Sequence, residues 1–230
     1  MTPTLTVSDE VRALAPGFTH VAVEAYGLVN GPSTEGTSAL LDDAARRLAG
    51  RLDGRAPHED PHMAAWREVY TAFGSKPSRT RNSAEALARR ALTDAGLPRI
   101  NVLVDLYNAM SVAHLIPVGG EDIERVSGGM RLVRATGDED FVTVTGGAET
   151  VEHPDAGEVV WRDGVGVTCR RWNWRQGPRT RLTEESTSAI FLLEGLAPTP
   201  VAEIGAAAAE LAELLEKFSP GARVTVHAPE

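Results

Sequence analysis

The chain has 230 residues, 42% hydrophobic and 24% charged, with a formal net charge of −9. That is enough apolar content for a core in one large domain or two small ones, and too acidic a balance for indiscriminate nucleic-acid binding, so DNA is not an expected partner. A single cysteine, Cys169, excludes an intrachain disulfide, and with six scattered histidines it gives no zinc-ligand spacing, so neither metal nor cofactor is expected.

In chain order, residues 20–26 alternate as a first strand that Gly31-Pro32 breaks. Thr37 or Ser38 is placed to cap a helix running to about Arg51. Residues 58–73 carry Met63, Trp66, Val69, Tyr70 and Phe73 at helical spacing. Asn82 or Ser83 caps a third helix with Glu85 in its first turn and a stripe of Leu87, Ala88, Ala91, Leu92 and Ala95. Residues 101–115 read as a helix that the 117–120 run, with Gly119-Gly120, closes. Short β-like runs follow at 131–135, 141–144, 159–162, 165–170 and 188–193, separated by Gly, Asp and Pro. An amphipathic helix spans about 200–218, and a strand covers 223–227. Helices first and a meander after predict an α+β fold rather than alternating βαβ units. The apolar stripe of the last helix is able to seal this domain or a homodimer, and the sequence leaves both open. The N-terminus lacks a signal-peptide layout and no apolar run reaches the ~18 residues of a membrane span, so a cytoplasmic protein with no membrane partner is expected.

Charge is unevenly spread. Residues 74–99 hold Lys76, Arg79, Arg81, Arg89, Arg90 and Arg99 against Glu85 and Asp94, and residues 170–181 hold five arginines and no acid. Two basic segments in an acidic protein predict one assembled surface for an anionic ligand. Lys76, Arg79 and Arg81 precede a helix, where backbone N–H groups and the macrodipole already favour anions; arginine forks suit phosphate there. The bland alternative is a solvated charged face. In the second segment, an extended chain would put Trp172 and Trp174 on one face and Arg171, Asn173 and Arg175 on the other. Two core tryptophans and a stacking, cation–π platform are equally compatible with that composition. Asn101, Asp105 and Asn108 fall at i, i+4 and i+7 and read as a hydrogen-bonded structural network that orders a pocket. Catalytic signatures are weak. Cys169 ends an apolar strand and is expected to pack, and nothing pairs His20, His114, Glu24 or Glu194 for acid/base work.

Four segments together carry a resemblance. They are Phe73-Gly74-x-Lys76-Pro77, Ser83-Ala84-Glu85-Ala86-Leu87-x-Arg89-Arg90, Pro98-Arg99-Ile100-Asn101-x-x-Val104-Asp105-x-x-Asn108-x-x-Ser111 and Pro117-Val118-Gly119-Gly120-x-Asp122. The pattern, continued by residues 170–175, resembles the stand-alone relatives of the B3/B4 domain found in the β subunit of phenylalanyl-tRNA synthetase. It covers roughly residues 15–200, within a single domain of residues 1–230 to which the 200–228 helix and strand would be appended. The resemblance implies an antiparallel or mixed sheet packed with helices. It also implies contact with a tRNA acceptor end and hydrolysis of mischarged aminoacyl-tRNA, the task of that domain in the synthetase. Under it, Lys76, Arg79, Arg81, Arg89, Arg90, Arg171 and Arg175 would contact phosphate. Trp172, Asn173 and Trp174 would line the pocket that Asn101, Asp105 and Asn108 order. Binding of RNA, a free amino acid or a small anion without catalysis is the competing expectation.

Overall fold

The computed structural model describes residues 3–230. Strand β1 (Leu5–Val7) and helix α1 (Asp9–Leu14) precede β2 (Thr19–Tyr26). Four helices follow: α2 (Glu35–Leu52), α3 (Pro61–Ala72), α4 (Ser83–Ala91) and α5 (Val102–His114). The second half carries β3 (Val118–Asp122), β4 (Met130–Arg134), β5 (Phe141–Thr145), β6 (Ala148–Glu152), β7 (Val159–Arg162), β8 (Val167–Arg170), β9 (Arg175–Gln176) and β10 (Ser188–Gly195). Helix α6 (Val201–Phe218) and β11 (Arg223–Val226) complete it. The α+β expectation holds. Among the described residues, no helix is long and apolar enough to cross a membrane.

Two main sheets are formed. One is antiparallel in the order β11-β2-β10-β3; the other runs β1-β4-β7-β8-β9, with β1 parallel to β4 and the rest antiparallel. The hairpin β5-β6 stands apart. Strand β10 is buried from end to end between β2 and β3, which explains its nearly unbroken apolar run.

Several boundaries differ from the expectation for identifiable reasons. Helix α2 starts at Glu35 with Thr34 as its N-cap, because Thr34 and Thr37 cap each other reciprocally, backbone N–H to side-chain oxygen at 3.0 and 3.1 Å. Helix α4 stops at Ala91, so the expected stripe is cut short: Leu92 and Ala95 are exposed, and the buried positions are Ala84, Glu85 and Ala88. The Gly119-Gly120 pair does not close a helix but lies within β3. A Cβ on Gly120 would come within 2.9 Å of Leu182 and 3.0 Å of Phe191, so glycine permits close packing on that side. The C-terminal segment is integral rather than appended. β11 pairs with β2, and α6 buries Ile204, Ala207, Ala208, Leu211 and Leu215. A Cβ on Gly195 would run into the Ile204 side chain, so closely does α6 lie on β10. The stripe that had left a homodimer open is thus used inside the domain.

His62 ties three elements together. Its Nδ1–H donates to the Leu115 carbonyl (3.1 Å), while Nε2 accepts from Trp66 Nε1 (3.0 Å) and Leu196 N (3.1 Å). Burial holds its pKa down at about 4 from the usual 6.5. Above pH 6.5 the ring is neutral in folded and unfolded chains alike. Between 6.5 and 4 only the unfolded chain takes up the proton, so stability falls with pH, by roughly 3 kcal/mol in all. Denaturation profiles of wild type and His62→Gln at pH 7 and pH 4.5 should differ by that component. Parallel profiles would show that the ring ionises normally in the fold.

Candidate functional site

Antiparallel partners share a sheet face. On β10, Leu192 and Ile190 lie opposite Gly119 and Glu121 of β3, with Glu194 further along the same face. Gly119, Glu121, Leu192 and Glu194 form the floor of a cavity of about 330 Å³. Helix α5 lends Val104, Tyr107 and Asn108; α4 lends Ser83, Ala86 and Leu87; the second sheet lends Trp161 and Cys169; and the 172–176 segment completes the wall.

Glu194 is held from three sides. Its Oε1 accepts from Trp161 Nε1 (2.9 Å) and Trp172 Nε1 (3.1 Å), and its Oε2 from Asn173 Nδ2 (2.8 Å). The Asn173 carbonyl oxygen accepts from the Tyr70 hydroxyl at 2.8 Å, the orientation that turns the amide N–H toward the Glu194 acceptor. Burial pushes the Glu194 pKa up to about 7, with the Asn173, Trp161 and Trp172 donors pulling the other way. Burial likewise raises Glu121 to about 8. The Cys169 thiol is held well above its usual value, first by burial and then by Glu121 and Glu194, so it is a neutral wall group and not a nucleophile.

The tryptophan segment is not extended. Arg171 and Trp172 have φ of 45° and 66°, and the turn sends the two tryptophans to different places. Trp172 is fully buried, edge-on to Phe18 and Trp66, and closes the cavity from inside. Trp174 is half-buried at the mouth, with the Arg171 guanidinium 4.7 Å and the Arg175 guanidinium 5.9 Å from its ring centroid. The two alternatives left open for this segment are therefore divided between its two rings.

Outside the mouth lies an open cleft lined by Arg79, Arg81, Arg89, Arg90, Ala86 and Trp174 among others. Ala86 and Trp174 belong to cleft and cavity alike, so the two adjoin. Four of the seven expected phosphate contacts are thus gathered on one surface. Lys76 is exposed outside that lining; its carbonyl instead accepts from Arg79 N and Thr80 N and shapes the loop. Arg171 and Arg175 carry counter-charges, Glu158 with Asp155 and Glu152 respectively. Of the remaining arginines of that run, Arg170 is engaged by Glu158 and Glu152 and Arg179 by Asp163, while Arg181 is exposed and makes no ion pair among the described residues. The second basic segment is therefore largely neutralised by the acids packed on it.

The α4 N-terminus is not an open anion site. Ser83 N donates to the Asn173 carbonyl, Glu85 N to Asn82 Oδ1, and the buried Glu85 carboxylate sits between Arg67 (2.7 Å) and Arg81 (3.5 Å). Of the positive charge before the helix, Arg81 is balanced by Glu85, and the cleft runs along the outer side of α4. Among the described residues, Arg79 and Arg89 make no ion pair.

Of the polar stripe on α5, two members are structural. Asn101 caps the helix through Val104 N (2.9 Å), and the fully buried Asp105 accepts from Thr37 Oγ1 (2.9 Å) and Ile100 N (3.0 Å). Asn108 is the member that faces the cavity. Sequence reasoning missed Glu121, because the adjacent glycines read as a loop. It noted Glu194 without a partner; the partners are two indoles and an amide brought in from other strands and a turn.

A family model described as the B3/4 domain matches residues 65–220. No curated protein matches the chain. Among solved structures, the chain is similar to an N-terminal fragment of the phenylalanyl-tRNA synthetase β-subunit from Pyrococcus horikoshii, at 10% identity and a TM-score of 0.47. That match covers 97% of this chain and 50% of the other, so the chain spans half the length of the solved one.

Proposed function

The chain belongs to the B3/4 domain family, and on that premise we propose that it binds the acceptor end of an aminoacylated tRNA and hydrolyses the ester of a wrongly attached amino acid. The observation that carries this reading is that the cavity and the arginine cleft adjoin at Ala86 and Trp174. An amino-acid side chain enters the cavity, while Arg79, Arg81, Arg89 and Arg90 face the phosphates of the terminal nucleotides. Trp174, at the boundary, offers its ring to a base, with Arg171 and Arg175 stacked on it.

The chemistry asks little of the side chains. Water adds to the ester carbonyl, the ribose oxygen leaves with a proton, and the products are free amino acid and tRNA with its hydroxyl restored. An aminoacyl ester is intrinsically reactive, so positioning the ester and a water against fixed dipoles suffices. The neutral Cys169 thiol fits hydrolysis without a covalent enzyme intermediate.

The test is a panel of correctly and incorrectly charged tRNAs, followed for loss of the ester. Wild type should discharge one mischarged pair selectively. Arg79→Ala with Arg89→Ala should weaken tRNA binding about tenfold at low salt and lower the slope of log affinity against log salt by about 1.4, two phosphate contacts on a single strand. An unchanged slope would remove the cleft from the tRNA path. Binding that persists with no ester loss would support the competing reading of a non-catalytic RNA-binding module.

A further inference from the structure

Glu121 stands at the other end of the cavity floor from Glu194. The Glu194 amide pairs with Pro117, four residues before Glu121, so strand rise separates the two positions by about 13 Å. Glu121 is 5% exposed, and its Oε2 has no hydrogen-bond partner among the described residues. Its surroundings do not neutralise it. Tyr107 from α5 and Cys169 from β8 are held protonated by burial. The Thr180 and Gln176 side chains are donors beside the carboxyl and pull its pKa down, but burial outweighs them; neither bonds Oε2, and the Gln176 amide goes to the Gly120 carbonyl. Arg179 and Arg175 are engaged elsewhere, by Asp163 and Glu152, and Arg181, bridged to Glu121 through the backbone, is exposed and makes no ion pair with it. A buried carboxyl that lines a cavity without an ion-pair partner, and whose donors do not outweigh its burial, carries a desolvation cost that a cationic ligand would offset.

We propose that Glu121 receives a primary ammonium group inside the cavity, so that the cavity takes amines in preference to their uncharged isosteres. The natural candidate is the α-amino group of the aminoacyl ester. This deepens the reading above and rests on it only for the identity of that ester. The three tryptophans and Tyr107 that line the cavity suit an aromatic body on the amine. Because burial keeps Glu121 largely protonated at neutral pH, ammonium binding should expel a proton from it.

The experiment uses the full chain and no tRNA. 2-Phenylethylamine and 2-phenylethanol, alike in size but differing in charge, are titrated at pH 7 and followed by tryptophan fluorescence, with calorimetry in two buffers to count protons. The amine should bind at least tenfold more tightly than the alcohol and release close to one proton. Glu121→Gln should bring the two affinities within threefold and abolish proton release, its retained affinity for the alcohol showing that the cavity is intact. Glu121→Asp, a second variant, should keep part of the preference. Equal binding by wild type, a preference that survives in Glu121→Gln, or no binding of the amine at millimolar concentration would each overturn the proposal. Failure to discharge any mischarged tRNA would instead count against the ester-hydrolysis reading and leave the amine preference standing.

Discussion

Replacing Gly119 by leucine should abolish ester hydrolysis while leaving the fold and tRNA affinity nearly untouched. Gly119 lies in β3 with an ordinary strand backbone, and a Cβ there meets no atom within 4 Å. The position therefore opens directly onto the cavity, and a leucine side chain would take up a substantial share of its roughly 330 Å³. Within a strand, leucine also removes the entropy cost of glycine, so stability should hold or rise by about 0.5–1 kcal/mol. The aminoacyl group would be displaced by more than an ångström, and losing that alignment costs on the order of 100-fold in rate. Single-turnover deacylation and tRNA binding, measured side by side, check the split. The arginine cleft variant should fail in the opposite way, in binding first. Gly119→Leu hydrolysing at the wild-type rate would mean that the reacting ester never occupies this cavity.

How much of this was legible beforehand divides along a physical line. Elements with a strong local period were readable: β2, β7, β10, α3, α5, α6 and β11 stand close to their expected spans, because alternation and the 3.6-residue repeat are local signals. Asn82 and Asn101 were readable as caps for the same reason, since a cap acts within three residues. What escaped depends on partners distant in sequence. Strand β3 contains two glycines and looks like a break, yet pairing with β10 and the closeness of Phe191 make glycine suitable there. The segment 171–174 looked extended until two left-handed residues turned it, separating Trp172 from Trp174. The net charge of residues 170–181 was read correctly from the sequence. Its counter-charges were not, because Glu152, Glu158 and Asp163, which neutralise most of it, arrive from β6, the turn before β7 and the turn after it. The first basic segment kept its exposed arginines at Arg79, Arg89 and Arg90, and it carries the candidate site.

Glu194 should be the cavity residue whose removal the protein tolerates least. In Glu194→Ala, two indole N–H groups and one amide N–H lose their acceptor inside a buried site, a loss of about 3–5 kcal/mol. Against a total stability of about 5–15 kcal/mol, that variant should be largely unfolded on mild heating. Glu194→Gln separates charge from shape. Its carbonyl oxygen can still accept from both indoles, and its new amide meets Asn173, which can turn over because the Tyr70 hydroxyl is able to accept as well as donate. The glutamine variant should therefore fold, with its pH response changed. Below pH 4.5 the Glu194 carboxyl is protonated in folded and unfolded chains alike, and its contribution is fully present. As pH rises toward the folded value of about 7, the unfolded chain gives up its proton first, and stability falls by roughly 3 kcal/mol. This runs opposite to His62, whose contribution is lost as pH falls. Chemical denaturation at pH 5 and pH 8 should show a smaller drop for Glu194→Gln than for wild type, by roughly 2–3 kcal/mol. Identical drops would mean that Glu194 ionises as an exposed carboxyl does, and that its three donors outweigh burial.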